Sequence, residues 1–118
     1  MLTASEITRL LDVANAGVQR GEVALARQVY RGILAGHPEH VPTLVSLAMS
    51  HIAVGQYAEA DEVLGKVLES HPEDPDALAY LGLSAFLSGR KDEARGIFAK
   101  VPEGTHAKTM ADALAAEC

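Results

Sequence analysis

The sequence predicts an all-α fold built from repeated helical hairpins. Three observations support this prediction: apolar residues recur at helical spacing, glycines separate the helical segments, and the pattern returns every 34 residues. The clearest copy is residues 41–74, where two amphipathic segments flank a turn at Gly55. Its first segment places four residues on one face with the i, i+3, i+4, i+7 spacing of a helix: Leu44, Leu47, Ala48 and His51. One hairpin cannot bury both of its apolar faces alone, so neighbouring copies must cover them.

The 34-residue period holds at turn, small and large positions. In register are the turn residues Gly21, Gly55 and Gly89, the small residues Ala26, Ala60 and Ala94, and the large residues Tyr30, Leu64 and Phe98. The first helices align Leu10, Leu44 and Leu78, then Val13, Leu47 and Leu81, then Ala14, Ala48 and Gly82. This pattern, over about residues 7–101, resembles the tetratricopeptide repeat (TPR) family. The resemblance implies a right-handed superhelix of three helical hairpins plus a C-terminal capping helix.

The individual helices follow from local signals. Thr3 and Glu6 have the spacing of a capping box, so the first helix begins there and runs to about Val18. The second helix runs from about Val23 to Ala35, and Gly36 is expected to end it as a left-handed cap. Three further helices are predicted at residues 42–53, 57–70 and 75–87, the first of them with Pro42 in its first turn.

The third hairpin departs from the others at Pro102. Proline disfavours the helical conformation of the residue before it, so the sixth helix should end about one turn early. A last helix at about residues 105–117 would place Ala107, Met110, Ala111 and Leu114 over the third hairpin, with Lys108, Asp112 and Glu117 facing water. The chain, 1–118, is therefore expected to be a single domain with repeats at about 7–40, 41–74 and 75–102 and a capping helix at about 105–117.

Composition excludes several classes of function. The net charge is −6, with 10 Lys and Arg against 16 Asp and Glu, and the basic residues are scattered, so no nucleic-acid partner is expected. No apolar run approaches the roughly 20 residues of a membrane span, and the N-terminus lacks the apolar core of a secretory signal. The lone Cys118 allows no intramolecular disulfide. We expect a cytoplasmic protein without a membrane partner.

The TPR resemblance implies that the first helix of each hairpin lines a concave groove. The groove residues would be Leu11, Asn15, Val18 and Gln19 in the first repeat, Val45, Ser46, Met49, Ile52 and Ala53 in the second, and Asp76, Ala79, Tyr80, Leu83, Phe86 and Leu87 in the third. This groove is mostly apolar, with Asn15, Ser46 and the Tyr80 hydroxyl as polar groups. One apolar face of each first helix packs within its own hairpin. Because residues 77–87 are apolar nearly all round, this helix has a second apolar face that something else must bury. A ligand, the last helix of the chain or a dimer partner would bury it.

One TPR function is excluded by the groove residues. TPR co-chaperones that bind acidic chaperone tails use lysine, arginine and asparagine in the groove. Of that set only Asn15 is present here, and the basic positions hold Leu11, Asp76 and Tyr80. An acidic tail would meet an apolar groove flanked by negative charge.

No arrangement of residues indicates catalysis, a metal or a cofactor. His37 and His40 lie in a loop without a third ligand, and His71 repeats the position of His37, which indicates loop architecture. His51 is expected to be a hydrogen-bonded core histidine. Carboxylate pairs such as Asp61-Glu62 and Asp92-Glu93 are expected on a solvated convex face.

These observations predict a non-catalytic module that binds a peptide or amphipathic helix with apolar side chains. Within that class, a small acidic three-repeat protein is similar to the bacterial type III secretion chaperones, which hold translocator or needle subunits soluble before export. The alternative is a structural or assembly subunit that uses the apolar stripe for docking or for a homodimer.

Overall fold

A computed structural model describes residues 2–118, and within that range the structure contains helices and no strands. The helices are α1 (Ala4–Gln19), α2 (Val23–Gly36), α3 (Val41–Ala53), α4 (Tyr57–Ser70), α5 (Pro75–Leu87), α6 (Lys91–Ala99) and α7 (His106–Ala115). The all-α prediction is confirmed, and the predicted helix ends agree with the structure to within two residues.

The helices pack as consecutive hairpins, α1 with α2, α3 with α4, and α5 with α6. The first helices also contact one another, α1 with α3 and α3 with α5, so they form one continuous row. Helix α7 packs against both α5 and α6, which places it at the end of this row. The resulting superhelical stack measures 42 × 27 × 21 Å.

Each hairpin contributes one large side chain to its own buried cluster. Tyr30, Leu64 and Phe98 are all fully buried, as expected from their shared position in the 34-residue repeat. The small residue opposite Phe98 is Gly82, and a Cβ atom added there would overlap the Phe98 ring. The large and small positions of the repeat are therefore complementary in three dimensions.

The predicted capping box is present at the start of α1. The Thr3 hydroxyl accepts a hydrogen bond from the Glu6 amide at 3.2 Å, and the Thr3 amide donates to the Glu6 carboxylate at 2.8 Å. The prediction for Gly36 was wrong: this glycine belongs to α2 and has no positive φ. His37 ends the helix instead, with a φ of −137°, because the following Pro38 disfavours the helical conformation.

Helix α6 ends at Ala99, one turn early, as the position of Pro102 predicts. The prediction that Lys108 faces water was wrong, because its side chain is only 12% exposed. Its ammonium group donates to the Phe98 carbonyl at 3.3 Å and lies 3.3 Å from the Asp112 carboxylate. Lys108 thus satisfies a carbonyl near the end of α6 and joins α7 to the third hairpin.

The prediction that Asp61 belongs to a solvated face was also wrong. Its carboxylate forms a 2.8 Å ion pair with Arg90, which links the second hairpin to the third, and its other oxygen is buried. The equivalent positions one repeat earlier are Arg27 and Gln56, whose side chains form a 2.7 Å hydrogen bond. The same two repeat positions therefore connect both pairs of neighbouring hairpins. In the first contact the arginine is on the second helix of the earlier hairpin, and in the second contact it precedes the second helix of the later hairpin.

Candidate partner-binding groove

An open cleft of about 570 Å³ lies along the row of first helices. We call it the concave cleft and define it by the residues that line it: Thr8, Leu11, Asp12, Asn15, His40, Val41, Pro42, Val45, Ser46, Met49, Asp74, Asp76 and Tyr80. These residues belong to α1, to α3 and the residue before it, and to the start of α5. Three successive repeats therefore contribute to one surface.

Seven of the predicted groove residues line this cleft together: Leu11, Asn15, Val45, Ser46, Met49, Asp76 and Tyr80. Leu11 and Val45 are buried, whereas Met49 and Tyr80 are half-buried. The cleft thus has an apolar floor and walls that include an unbranched thioether and a phenol.

The other predicted groove residues lie outside the concave cleft. Val18 is buried in the cluster of the first hairpin, and Ile52 is buried in the cluster of the second, against which the half-buried Leu83 also packs. Ala79 and Phe86 belong to the third cluster. Gln19 and Ala53 are exposed, and Leu87 is 48% exposed.

Helix α7 covers part of the second apolar stripe of α5. Ala79 is buried in the same cluster as Ala107 and Ala111, and Phe86 packs against that cluster. Of the three covers considered from the sequence, the chain's own last helix therefore accounts for this end of α5. The concave cleft and the exposed Leu87 of α5 remain uncovered.

Sequence reasoning missed six lining residues of the cleft: Thr8, Asp12, His40, Val41, Pro42 and Asp74. For α1 a signal was present, because Thr8, Leu11, Asp12 and Asn15 have the i, i+3, i+4, i+7 spacing of one helical face. The predicted groove face of α1 began at Leu11, about one turn after Thr8. It therefore extended one turn further along the helix and included Val18. His40 and Asp74 precede their helices, and no periodicity marks such positions.

The polar side chains in the floor of the cleft form hydrogen bonds with neighbouring side chains of the protein. The Tyr30 hydroxyl donates to the Asn15 side-chain oxygen, and the Asn15 amide nitrogen donates to the Ser46 hydroxyl at 3.2 Å. These bonds join α1, α2 and α3. Asn15 therefore holds the floor in place, and its amide has one N–H left for a ligand.

The rim of the cleft is acidic. Asp12 on α1 and Asp76 on α5 are exposed, and Asp74 accepts a 2.9 Å hydrogen bond from the Ala77 amide as the N-cap of α5. Burial, together with the nearby Asp76 charge, raises the pKa of the Tyr80 hydroxyl. None of the described residues that line the cleft is lysine or arginine.

A second hollow, of about 330 Å³, lies between the start of α3 and the end of α4. It is lined by Pro38, Glu39, Val41, Leu44, Val63, Lys66, Val67, Ser70 and His71. It is smaller than the concave cleft, and its lining comes mainly from a single hairpin and the loops at its ends. The concave cleft is the better candidate because three repeats build it.

Two of the five histidines, His40 and His51, take part in local hydrogen bonds. Nδ1 of His51 lies 3.0 Å from an Arg27 guanidinium nitrogen and 2.8 Å from the Gln56 side-chain oxygen, so His51 belongs to the link between the first two hairpins. Nδ1 of His40 lies 2.7 Å from the Thr43 hydroxyl. Among residues 2–118, no group of three His, Cys, Asp or Glu side chains could hold a metal ion.

Comparison with known proteins identifies the family. The tetratricopeptide repeat family matches residues 45–107, more than half of the chain. The chain belongs to this family. Tetratricopeptide repeats form a non-catalytic, protein-interaction family, in agreement with the row of first helices and its open cleft.

Among solved structures, the chain is similar to SycD, the type III secretion translocator chaperone of Yersinia enterocolitica. The TM-score is 0.75 at 15% identity, and the match covers 99% of this chain and 86% of SycD. At this identity the likeness establishes the fold. No curated protein gives a significant match. In the part of the chain that the structure describes, no helix is long and apolar enough to cross a membrane.

Proposed function

We propose that this protein binds a segment of a partner protein in the concave cleft. The observation that carries this proposal is the cleft itself, which is open, built by three repeats and floored by apolar side chains. A volume of about 570 Å³ is in the range of ligand-binding pockets. It has room for a few apolar side chains of an extended segment or of one helix face.

The residues of the cleft suit such an occupant. Leu11 and Val45 form a floor that the fold already desolvates, so apolar side chains gain contacts there without disturbing the core. Met49 is half-buried and unbranched, and can repack around side chains of different shape. Tyr80 offers a hydroxyl beside its apolar ring.

We further propose that the partner is a secreted subunit that this protein keeps soluble before export. The likeness to SycD, a translocator chaperone, over nearly the whole chain supports this narrower function. A chaperone of this kind would cover an apolar segment of its client that aggregates when left exposed.

The second candidate is self-association through the end of the stack at α1, and one observation favours it. Val13 is 69% exposed, although Leu47 and Leu81 at the same repeat position pack against the preceding hairpin. Leu10 beside it is also exposed. A concentration-dependent mass in solution that Val13→Glu abolishes would support this alternative.

Affinity capture from a lysate of the native cells tests the main proposal. The wild-type chain is compared with Met49→Glu, which places a charge on the wall of the cleft, and with Leu25→Glu, which makes the same change at an exposed position on α2. Circular dichroism verifies that both variants remain helical. We expect a protein that wild type and Leu25→Glu retain and Met49→Glu loses; equal retention by all three would move the site away from the cleft.

A further inference from the structure

We propose that the segment bound in the concave cleft is basic, with lysine or arginine side chains next to its apolar anchors. This inference rests on the proposed function and deepens it by naming the charge of the occupant. It depends on three carboxylates at the rim, on the absence of lysine and arginine among the described lining residues, and on the apolar floor between them.

The carboxylates come from different repeats. Asp12 belongs to α1, whereas Asp74 and Asp76 belong to the N-terminal end of α5, and the apolar residues of α3 lie in the same cleft. A bound segment that contacts the floor therefore has negative charge within reach from both the first and the third repeat. Lysine and arginine have long side chains that keep an apolar stem on the floor while the charged end reaches the rim.

The chain itself does not neutralise these carboxylates. No ion pair within residues 2–118 involves Asp12, Asp74 or Asp76. The more buried cations are committed elsewhere: Arg90 pairs with Asp61, and Lys108 pairs with Asp112. Asp74 spends one oxygen on the Ala77 amide, which leaves its negative charge in place.

The same arrangement disfavours other occupants. An acidic segment would bring like charges together in a partly desolvated cleft, and a purely apolar one would desolvate the rim carboxylates without replacing their water contacts. The carboxylates also do not converge as metal ligands do, since no three acidic or histidine side chains among the described residues form a metal-binding group. A cationic side chain tolerates such spacing, because attraction between charges extends over several ångströms.

Selection from a displayed library of random dodecamer peptides tests the inference without a known partner. The library is selected on the wild-type chain, and peptides that also bind Met49→Asn, which removes the apolar wall of the cleft without adding charge, are discarded. We expect the remaining peptides to carry an excess of Lys and Arg over Asp and Glu, next to leucine, isoleucine, methionine or aromatic residues. Neutral or acidic peptides that depend on Met49 would overturn this inference and leave the proposed function standing, whereas failure to obtain any Met49-dependent peptide would overturn both.

Synthetic copies of the selected peptides then separate local from general electrostatics. Asp12→Asn/Asp76→Asn removes two rim charges without changing side-chain size, and Glu59→Gln/Glu69→Gln removes two exposed charges of α4 that lie outside the cleft. We expect the first variant to lower affinity about three- to tenfold and the second to lower it less than twofold. Equal losses in the two variants, or no loss in either, would overturn the inference.

Discussion

A chain of hydrogen bonds that begins at the buried Tyr30 connects three helices. Its ring is fully buried, its hydroxyl donates to Asn15, and Asn15 in turn donates to Ser46 in the floor of the cleft. Burial raises the pKa of this hydroxyl from its ordinary value of 10.0 to about 12. The phenol is therefore harder to ionise in the folded protein than in the unfolded chain.

This difference predicts an alkaline loss of stability that depends on Tyr30. Between about pH 10 and 12 the folded state keeps a proton that the unfolded state has lost, so Tyr30 lowers the free energy of unfolding by about 1.4 kcal/mol per pH unit. Below pH 10 both states are protonated, and this effect is absent. In Tyr30→Phe we expect about 1 kcal/mol less stability at pH 8 and a shallower decline above pH 10. Urea unfolding at pH 8, 10 and 11 measures both, and equal slopes for the two proteins would contradict the account.

Gly82 illustrates a second constraint on a single residue. Because a Cβ atom at this position would overlap the buried Phe98 ring, we expect Gly82→Ala to destabilise the fold by about 1–3 kcal/mol. Gly32 is also inside a helix but has nothing within 4 Å of its added Cβ, so Gly32→Ala should stabilise by about 0.5–1 kcal/mol. Chemical denaturation of both variants checks the opposite signs. If Gly82→Ala were more stable than the wild type, α5 and α6 would be able to move apart without a loss of stability.

At the residue scale, repetition made some features predictable. The 34-residue period identified the large side chains and the small residues opposite them, because each position recurs three times. It gave no information on contacts made once, such as the Tyr30–Asn15–Ser46 chain or the burial of Lys108. Those contacts depend on which side chains of neighbouring helices come within hydrogen-bond distance, and the spacing along one helix does not determine that.

At the scale of helices, equivalent positions of different repeats are buried to different extents. Leu10 and Leu78 occupy the same place in the first and third repeats, yet Leu10 is 37% exposed and Leu78 only 5%. We expect Leu78→Ala to cost about 2–4 kcal/mol and Leu10→Ala about 1 kcal/mol or less. Thermal or urea unfolding of the two variants tests this difference. If the two variants lost equal stability, Leu10 would be buried in solution, as self-association through this end of the stack requires.

Helix ends were predictable where residues close together in the sequence determine them. Pro102 removes the last turn of α6, and the capping box fixes the start of α1, since both effects act within a few residues of the chain. The end of α2 was mispredicted because Gly36 suggested a left-handed cap, whereas the step from His37 to Pro38 ends the helix with ordinary backbone angles. The ion pair of Asp61 with Arg90 was beyond local rules, because its partners are 29 residues apart.

At the scale of the whole molecule, the sequence predicted the row of first helices, and its predicted groove extends further along this row than the concave cleft does. The periodic stripe continued to Val18, Ile52 and Phe86, and these side chains pack inside the clusters or near α7. The open part of the row is the region around Leu11, Val45 and Met49. Periodicity identifies the face of a helix, and only the packing of neighbouring helices determines which part of that face stays open.

Three of the acidic residues that make the chain negatively charged, Asp12, Asp74 and Asp76, line the cleft. The net charge of −6 shows only that acidic residues are in excess, whereas the carboxylates around the apolar floor support the proposal of a basic partner segment.

Site-specific photo-cross-linking in the native cells shows whether the concave cleft contacts a partner protein. A photoreactive phenylalanine derivative replaces Met49 in the cleft or, as a control, exposed Glu62 on α4. We expect the Met49 position to cross-link to a partner protein that the Glu62 position does not reach, and we expect Asp12→Asn/Asp76→Asn to weaken that cross-link. A partner captured from Glu62 and never from Met49 would place the binding surface on the second helices and contradict the account.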